Sequence, residues 1–222
     1  MKKLFLVVLL LSSFINKGHS LEPTDGGGWR HSLFLCETGI PYATGSNDRG
    51  RLGNGTTTSS TVPIQVSNLT GVTAVSAGSA YSMALKSDGT VWTWGPNVFG
   101  NIGDNTTTNR LSPVQVHGLN DVGFLTGIIA ISAGASFSLA LKNDGTVWAW
   151  GTNGFGECGV NSTQSMFLTP VQVIGLSGIT AISAGGNVAM ALKNDGTVWG
   201  WGYNNDGELG DNTTILRRAP VQ

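Results

Sequence analysis

Charge is scarce in this chain and its signs nearly cancel. Only 11% of residues are charged, and 12 Lys and Arg face 13 Asp and Glu for a formal net charge of -1 at pH 7. No basic field gathers phosphate backbones or anionic lipid, so nucleic acid is not an expected partner. Histidine occurs three times and cysteine twice. His19, His31 and His117 stand apart from acids and cysteines at ligand spacing, so a metal centre or a Ser-His-Asp triad lacks raw material and no cofactor is expected. After Phe14 no run approaches the ~20 apolar residues that span a bilayer.

Glycine, by contrast, is plentiful at 33 residues and accompanies 40% hydrophobic residues, a mixture that suits short strands joined by tight turns. The first twenty residues differ in kind. Lys2 and Lys3 precede the apolar run Leu4 to Leu11, and Gly18 and Ser20 occupy the -3 and -1 positions of a cut after Ser20. Residues 1–20 therefore read as a secretory signal, which predicts a secreted or periplasmic protein.

From there the chain repeats. One unit reads Val72 to Gly78, Tyr81-Ser-Met-Ala-Leu85, Lys86-Ser-Asp-Gly-Thr-Val-Trp-Thr-Trp-Gly95 and Gly100-Asn-Ile-Gly103. Copies start at Ile128 and Ile179, and a decayed copy runs from His31 through Gly45 to Gly53. The equivalent glycines Gly45, Gly95, Gly151 and Gly202 lie 50, 56 and 51 residues apart, the period of a propeller blade. Alternation in Tyr81 to Leu85 marks a strand, Asp88-Gly89 a hairpin turn, Thr90 to Trp94 its partner, and Pro63-Ile-Gln-Val66 a further strand. Each unit thus supplies about four short antiparallel strands. The expected divisions are a short N-terminal segment over 21–30 and blades over 31–71, 72–127, 128–177 and 178–222.

The pattern Ala-Gly-x-x-aromatic-Ser-x-Ala-Leu-x-x-Asp-Gly-x-Val-x-x-Trp-Gly, followed by Gly-x-Leu-Gly, resembles the regulator of chromosome condensation repeat. The resemblance covers nearly everything from His31 onward and implies an all-β propeller of about seven blades. Four blades then predict an incomplete or open ring, or a fragment of a longer propeller. The first copy lacks a clear first strand, with only Gly26 to Gly28 in its place, and the chain stops at Pro220-Val-Gln222 within a recurring Pro-Val-Gln-Val strand. Open strand edges predict self-association.

Residues repeated in every copy are expected to be structural. Gly78, Gly134 and Gly185 fit close backbone approach near the axis, Gly103, Gly159 and Gly210 fit turns, and Trp94, Trp150 and Trp201 fit packing between blades. Asp88, Asp144 and Asp195 precede glycine in hairpins, which accounts for them without catalysis. Gly103-Asp-Asn-Thr106 and Gly210-Asp-Asn-Thr213 lack the alternating carboxylates of calcium loops. Cys36 aligns with Lys86 beside a turn, and Cys158 with the apolar Ile102 and Leu209. The two therefore read as a free thiol and a core residue rather than a disulfide. Asn54, Asn68, Asn105, Asn161 and Asn212 begin glycosylation sequons that turn composition also explains.

Function is expected where the copies disagree. The loops after the Trp-Gly pairs, and after Gly45 in the decayed copy, carry candidate partner-binding residues: Arg49, Asn97, Phe99, Asn153, Phe155, Tyr203, Asn204 and Asp206. Aromatics at such positions make interface anchors. The family the chain resembles includes a nuclear exchange factor for the GTPase Ran, chromatin and ubiquitin-ligase modules, and secreted bacterial members such as a β-lactamase inhibitor. With the leader sequence, the expectation is a secreted, non-enzymatic protein-interaction module with an unidentified protein partner. A nucleotide-exchange or regulatory role and a carbohydrate-binding or carbohydrate-degrading propeller are the alternatives.

Overall fold

The computed structural model describes residues 26–222, so the leader over 1–20 and residues 21–25 lie outside the described residues. Four antiparallel four-stranded sheets follow one another along the chain. The first holds β1 (Gly26–Gly27), β2 (His31–Leu35), β3 (Pro41–Gly45) and β4 (Ser60–Gln65). The second holds β5 (Val72–Ala77), β6 (Ser82–Lys86), β7 (Val91–Gly95) and β8 (Arg110–Gln115). The third holds β9 (Ile128–Ala133), β10 (Phe137–Lys142), β11 (Val147–Thr152) and β12 (Met166–Gln172), and the fourth β13 (Ile179–Gly185), β14 (Val188–Lys193), β15 (Val198–Gly202) and β16 (Arg217–Val221). One expected boundary moves: Gly26 and Gly27 pair with Leu33 and Ser32, so the first blade takes in part of the 21–30 segment.

The hairpin between the second and third strands is set by its sequence. In the second blade Asp88 Oδ1 accepts from the Thr90 amide at 3.0 Å and its hydroxyl at 2.6 Å, while Gly89 takes φ +77°. Asp144 and Asp195 make the same pair of bonds with Thr146 and Thr197. All three aspartates are thereby used as Asx-turn acceptors.

The middle strands of the second and third blades bury both faces, and the core is therefore distributed between blades. Leu33, Ala43 and Leu52 of the first blade pack on Val75, Ala84 and Trp94 of the second. Tyr81, Met83 and Ile102 pack on Ala140 and Trp150 of the third, and Phe137, Leu139 and Cys158 on Ala191 and Trp201 of the fourth. The three tryptophans are fully buried. Each contributes on the order of 5 kcal/mol of apolar transfer as an upper value.

Glycine permits the approach at two places. A Cβ on Gly53, Gly103 or Gly159 would lie 2.6, 2.7 or 2.9 Å from the indole nitrogen of Trp94, Trp150 or Trp201, so these turn glycines are also seats for the next blade's tryptophan. Near the innermost strands, a Cβ on Gly28 or Gly78 would sit 2.7 or 2.6 Å from the carbonyl oxygen of Gly78 or Gly134. Gly185, expected to share that role, has nothing near it among the described residues. Contacts between sheets run from β2 to β5, β5 to β9 and β9 to β13, giving an arc that does not close.

Candidate functional site

The site is built on the loop that follows the glycine at the end of the third strand of each blade, Gly45 after Thr44 and Gly95, Gly151 and Gly202 after tryptophan. Asparagine stands two residues after the glycine in all four copies, as Asn47, Asn97, Asn153 and Asn204, and every one is buried. Its side-chain carbonyl accepts the amide five residues on: Leu52 at 2.9 Å, Ile102 at 3.0 Å, Cys158 at 3.0 Å and Leu209 at 2.9 Å. Its side-chain NH2 donates across the loop to the carbonyls of Thr56 (2.9 Å), Thr106 (2.8 Å), Ser162 (3.2 Å) and Thr213 (3.1 Å). The asparagine is a clasp that closes the loop on itself and satisfies backbone groups that strands do not.

Asn97, Asn153 and Asn204 are therefore corrected from partner-binding candidates to scaffold. The signal was in the sequence: a residue present in every copy holds the fold, and these asparagines never vary.

The clasp pushes out a two-residue tip that does vary: Asp48-Arg49, Val98-Phe99, Gly154-Phe155 and Asn205-Asp206, all exposed. Phe99 is 46% and Phe155 39% accessible. Tyr203 is half-buried and meets Phe155 of the neighbouring blade edge to face, with ring centroids 5.1 Å apart. The tips are held from behind by the following blade. The amides of Gly55, Asn105 and Asn161 donate to the carbonyls of Leu111, Leu168 and Arg218 at 2.9, 3.0 and 2.8 Å. Arg218 also donates to the carbonyls of Ser162 and Gly154 at 3.2 and 3.1 Å. Arg51, behind the first tip, is buried and pairs with Asp48. Read blade by blade, the row presents charge, two apolar tips, then an acid.

The Asp104 and Asp211 carboxylates are engaged by Arg110 (2.5 Å) and Arg217 (2.6 Å), and by Thr106 and Thr213 (both 2.7 Å). Those loops are thus ion-paired turns, and no group of three potential metal ligands occurs among the described residues. Cys36 is exposed and Cys158 buried, and the two are not bonded to each other.

A second variable place is the link between the second and third blades. Val116 and Ile128 are twelve positions apart, where Val66 to Val72 and Val173 to Ile179 span six, and the added residues form a 3-10 turn over Leu119–Asp121. Leu119, Val122 and Phe124 are exposed there, Val122 at 77%. His117 was expected to have no acidic neighbour. Its Nδ1 instead lies 2.5 Å from Asp121 Oδ1, and Asn105 donates to the other oxygen of that carboxylate at 3.0 Å. The bonds with His117 and Asn105 hold the Asp121 carboxyl below its usual range. The blade spacing of 56 already marked this insertion, but not its exposed apolar residues.

Two family models described as the regulator of chromosome condensation (RCC1) repeat match the chain. One matches residues 39–85, 88–141, 144–192 and 195–222, and the other 72–101, 128–157 and 179–208. Over 200 residues the chain is 30% identical to the human E3 ubiquitin-protein ligase HERC2, covering 87% of this chain and 4% of that protein. It is 34% identical over 200 residues to the human probable E3 ubiquitin-protein ligase HERC6, covering 88% and 19%. It therefore spans a small part of these relatives. Among solved structures, Prp20p from Saccharomyces cerevisiae superposes with TM-score 0.78 at 21% identity, covering 89% of this chain and 49% of that one. Human WBSCR16 gives 0.76 at 23%, covering 88% and 50%. At those identities the likeness is one of fold.

Proposed function

The chain belongs to the regulator of chromosome condensation (RCC1) repeat family, and on that premise we propose that it is an exported, non-catalytic protein-interaction module whose contact surface is the row of loop tips. The observation that carries this reading is the separation within each loop. The invariant asparagine is buried in the clasp, while the variable Arg49, Phe99, Phe155 and Asp206 stand outside it on a rigid support. A framework that fixes loop backbones while leaving their tips free to differ suits recognition. Exposed aromatics of fixed geometry are the residue type that anchors protein interfaces.

The neighbours support a protein as the partner class. One related structure is described as yeast RCC1 (Prp20) bound by Kap60, and another concerns the binding of Prp20p to Gsp1p and histones. Export rests on Lys2, Lys3 and the apolar run that follows. The non-catalytic reading is supported by the repeated acids and amides, each of which serves a turn, an ion pair or a clasp.

The test compares the wild-type chain with Phe99→Ala/Phe155→Ala as immobilised bait against the secreted proteins of the source cell. A specific partner retained by the wild type and weakened about tenfold or more by the double substitution is expected. Equal retention by both chains, or none by either, overturns the reading. N-terminal sequencing of the exported form tests the leader, with Leu21 expected first.

A further inference from the structure

Seven residues after the asparagine, each clasped loop has a second position that the copies fill differently: Asp104 in the second blade, Asp211 in the fourth, Asn54 in the first and Val160 in the third. Asp104 Oδ1 accepts three bonds, from the Asn97 side chain at 3.2 Å and from the Thr106 amide and hydroxyl at 3.2 and 2.7 Å. Asp211 repeats them with Asn204 at 3.1 Å and Thr213 at 3.0 and 2.7 Å. Asn54 Oδ1 accepts the same three, from Asn47 at 3.0 Å and Thr56 at 3.2 and 3.0 Å. Among the described residues, the Asn54 side-chain NH2 donates to no acceptor. The first loop thus holds an amide in a carboxylate's seat.

Asn54 is followed by Gly55, the residue type that least obstructs attack of a backbone nitrogen on the preceding side chain. The chain has one other Asn-Gly pair, Asn153-Gly154. Asn153 is 1% exposed, and its side-chain NH2 donates to the carbonyls of Ser162 and Gln164 at 3.2 and 2.8 Å. A carboxylate there would turn its lone pairs onto two carbonyl oxygens, so that seat takes only an amide. Asn54 is half-buried and carries no such pair of bonds. What restrains it is the Gly55 amide, which donates to the carbonyl of Leu111 at 2.9 Å. Leu111 lies on β8, the last strand of the second sheet, so the tie crosses from one blade to the next.

We infer that Asn54 is a self-acting modification site, where the side-chain amide is converted to aspartate whenever the first loop detaches from β8. On detachment the Gly55 nitrogen loses its proton to solvent base and bonds to Asn54 Cγ. The bond from Cγ to the side-chain nitrogen breaks, and ammonia leaves with a proton from water. Water then opens the cyclic imide. Breaking the new Cγ–N bond restores the backbone and leaves a carboxylate, for which three donors are already placed and bind more strongly than they bind an amide. Opening at the other carbonyl carries the main chain through Cγ, and that longer loop does not fit the clasp. The loop over 46–59 sets Arg49 and Arg51 against Asp48 alone, so the conversion cancels its net positive charge. Ser60 stands beside Gly45 where Arg110 and Arg217 stand beside Gly95 and Gly202, and it supplies no cation to offset the new carboxylate. The first tip therefore changes charge as the chain ages, at a rate set by blade opening, whether or not the tips hold a partner.

The experiment follows Asn54 and Asn153 by peptide mass mapping of the chain held in mildly alkaline buffer, folded and in urea. Asn54 is expected to convert in the folded chain about tenfold or more slowly than in the unfolded one, because attack waits for local opening. Trp94→Ala, which weakens the interface between the first two blades, and urea below the unfolding transition are both expected to speed it. Gly55→Asn places there the residue of Asn105, Asn161 and Asn212, which hold the same turn at φ 58, 52 and 60°, and is expected to suppress conversion with the fold intact. Folded-state conversion at the unfolded rate, or a rate unmoved by Trp94→Ala and by low urea, overturns the inference. So does an Asn54 that stays intact throughout in the folded chain, or Asn153 converting first there. A second arm tests the seat itself. Asn54→Asp is expected to melt no lower than the wild type, whereas Asn153→Asp melts lower. A lower melting point for Asn54→Asp shows that the cradle does not accept a carboxylate, and overturns the inference as well.

Discussion

The indole N–H of Trp94 donates to the backbone carbonyl of Arg51 in the preceding blade at 2.9 Å, and Arg51 lies two residues before the glycine that seats the ring. One side chain thus supplies both the largest apolar surface of the blade interface and the hydrogen bond that fixes its register. Stability in such a chain is a sum of blade terms and nearest-neighbour interface terms.

Trp150→Ala removes the middle of the three interfaces. The expected loss is about 3–5 kcal/mol from the cavity and the orphaned Asn101 carbonyl. Because blades couple only through neighbours, urea unfolding should broaden or divide into separate steps for the first and second pairs of blades. Gly103→Ala should act on the same interface. It forces a Cβ toward the indole at 2.7 Å and onto a backbone at φ +75°. A single sharp transition with an unchanged midpoint in both variants would contradict this account.

The clasp and the tip are two residues apart at most, yet they should respond oppositely to substitution. Asn97→Ala deletes the bonds to the Ile102 amide and the Thr106 carbonyl at a fully buried site, and should cost about 2–4 kcal/mol. Phe99→Ala, at a half-exposed tip, should stay within about 0.5 kcal/mol. Denaturant melts of the two variants side by side check the contrast, and equal losses would show that the tip is part of the scaffold.

These two substitutions also mark how far the sequence could be read. The blade repeat, its hairpins and the inter-blade role of Trp94, Trp150 and Trp201 were legible, because burial of the same face in every copy imposes the same residues. The clasp is equally repeated but not legible as a clasp, since Asn within a loop also reads as ordinary turn chemistry. The Asp121 partner of His117 was not legible because the insertion occurs once, with no second copy to reveal its geometry. The short strand Gly26–Gly27 carries no side-chain pattern at all, and only pairing with Leu33 and Ser32 defines it.

Glu157 is a carboxyl 1% exposed, occupying the repeat position of Asn101 and accepting the Phe155 amide at 2.8 Å. Burial pushes its pKa up, against the opposing pull of its backbone hydrogen bonds and of Arg218. An acid whose folded pKa is raised binds more protons folded than unfolded, so stability falls as pH rises above its unfolded value near 4.5. Glu157→Gln should therefore melt higher than the wild type at pH 7, with the difference closing below pH 4.5. A lower melting point at pH 7 would mean that the Arg218 attraction outweighs burial.

His31 should give the chain an acid-sensitive blade interface. The ring is 3% exposed, and its Nε2 lies 2.9 Å from the Ser82 hydroxyl, which itself donates to the Arg51 carbonyl at 2.8 Å. Ser82 has one proton and has spent it there, so Nε2 carries the histidine proton and Nδ1 is left as a buried lone pair with no partner. Protonating Nδ1 would place a charge away from water and close to Arg51. Burial, reinforced by Arg51, accordingly lowers the pKa to about 4. The unfolded chain takes up this proton near pH 6.5 and the folded one only near pH 4. Stability contributed by neutral His31 is thus complete above pH 6.5 and drains away as pH falls toward 4, by on the order of 3 kcal/mol. His31→Phe places at this position the residue of Phe137, whose ring lies against Gly134 as His31 lies against Gly28. The variant should lose most of the stability drop between pH 6.5 and 4 in urea titrations, while keeping the part that comes from exposed aspartates. A profile as steep as the wild type's would assign the acid sensitivity elsewhere.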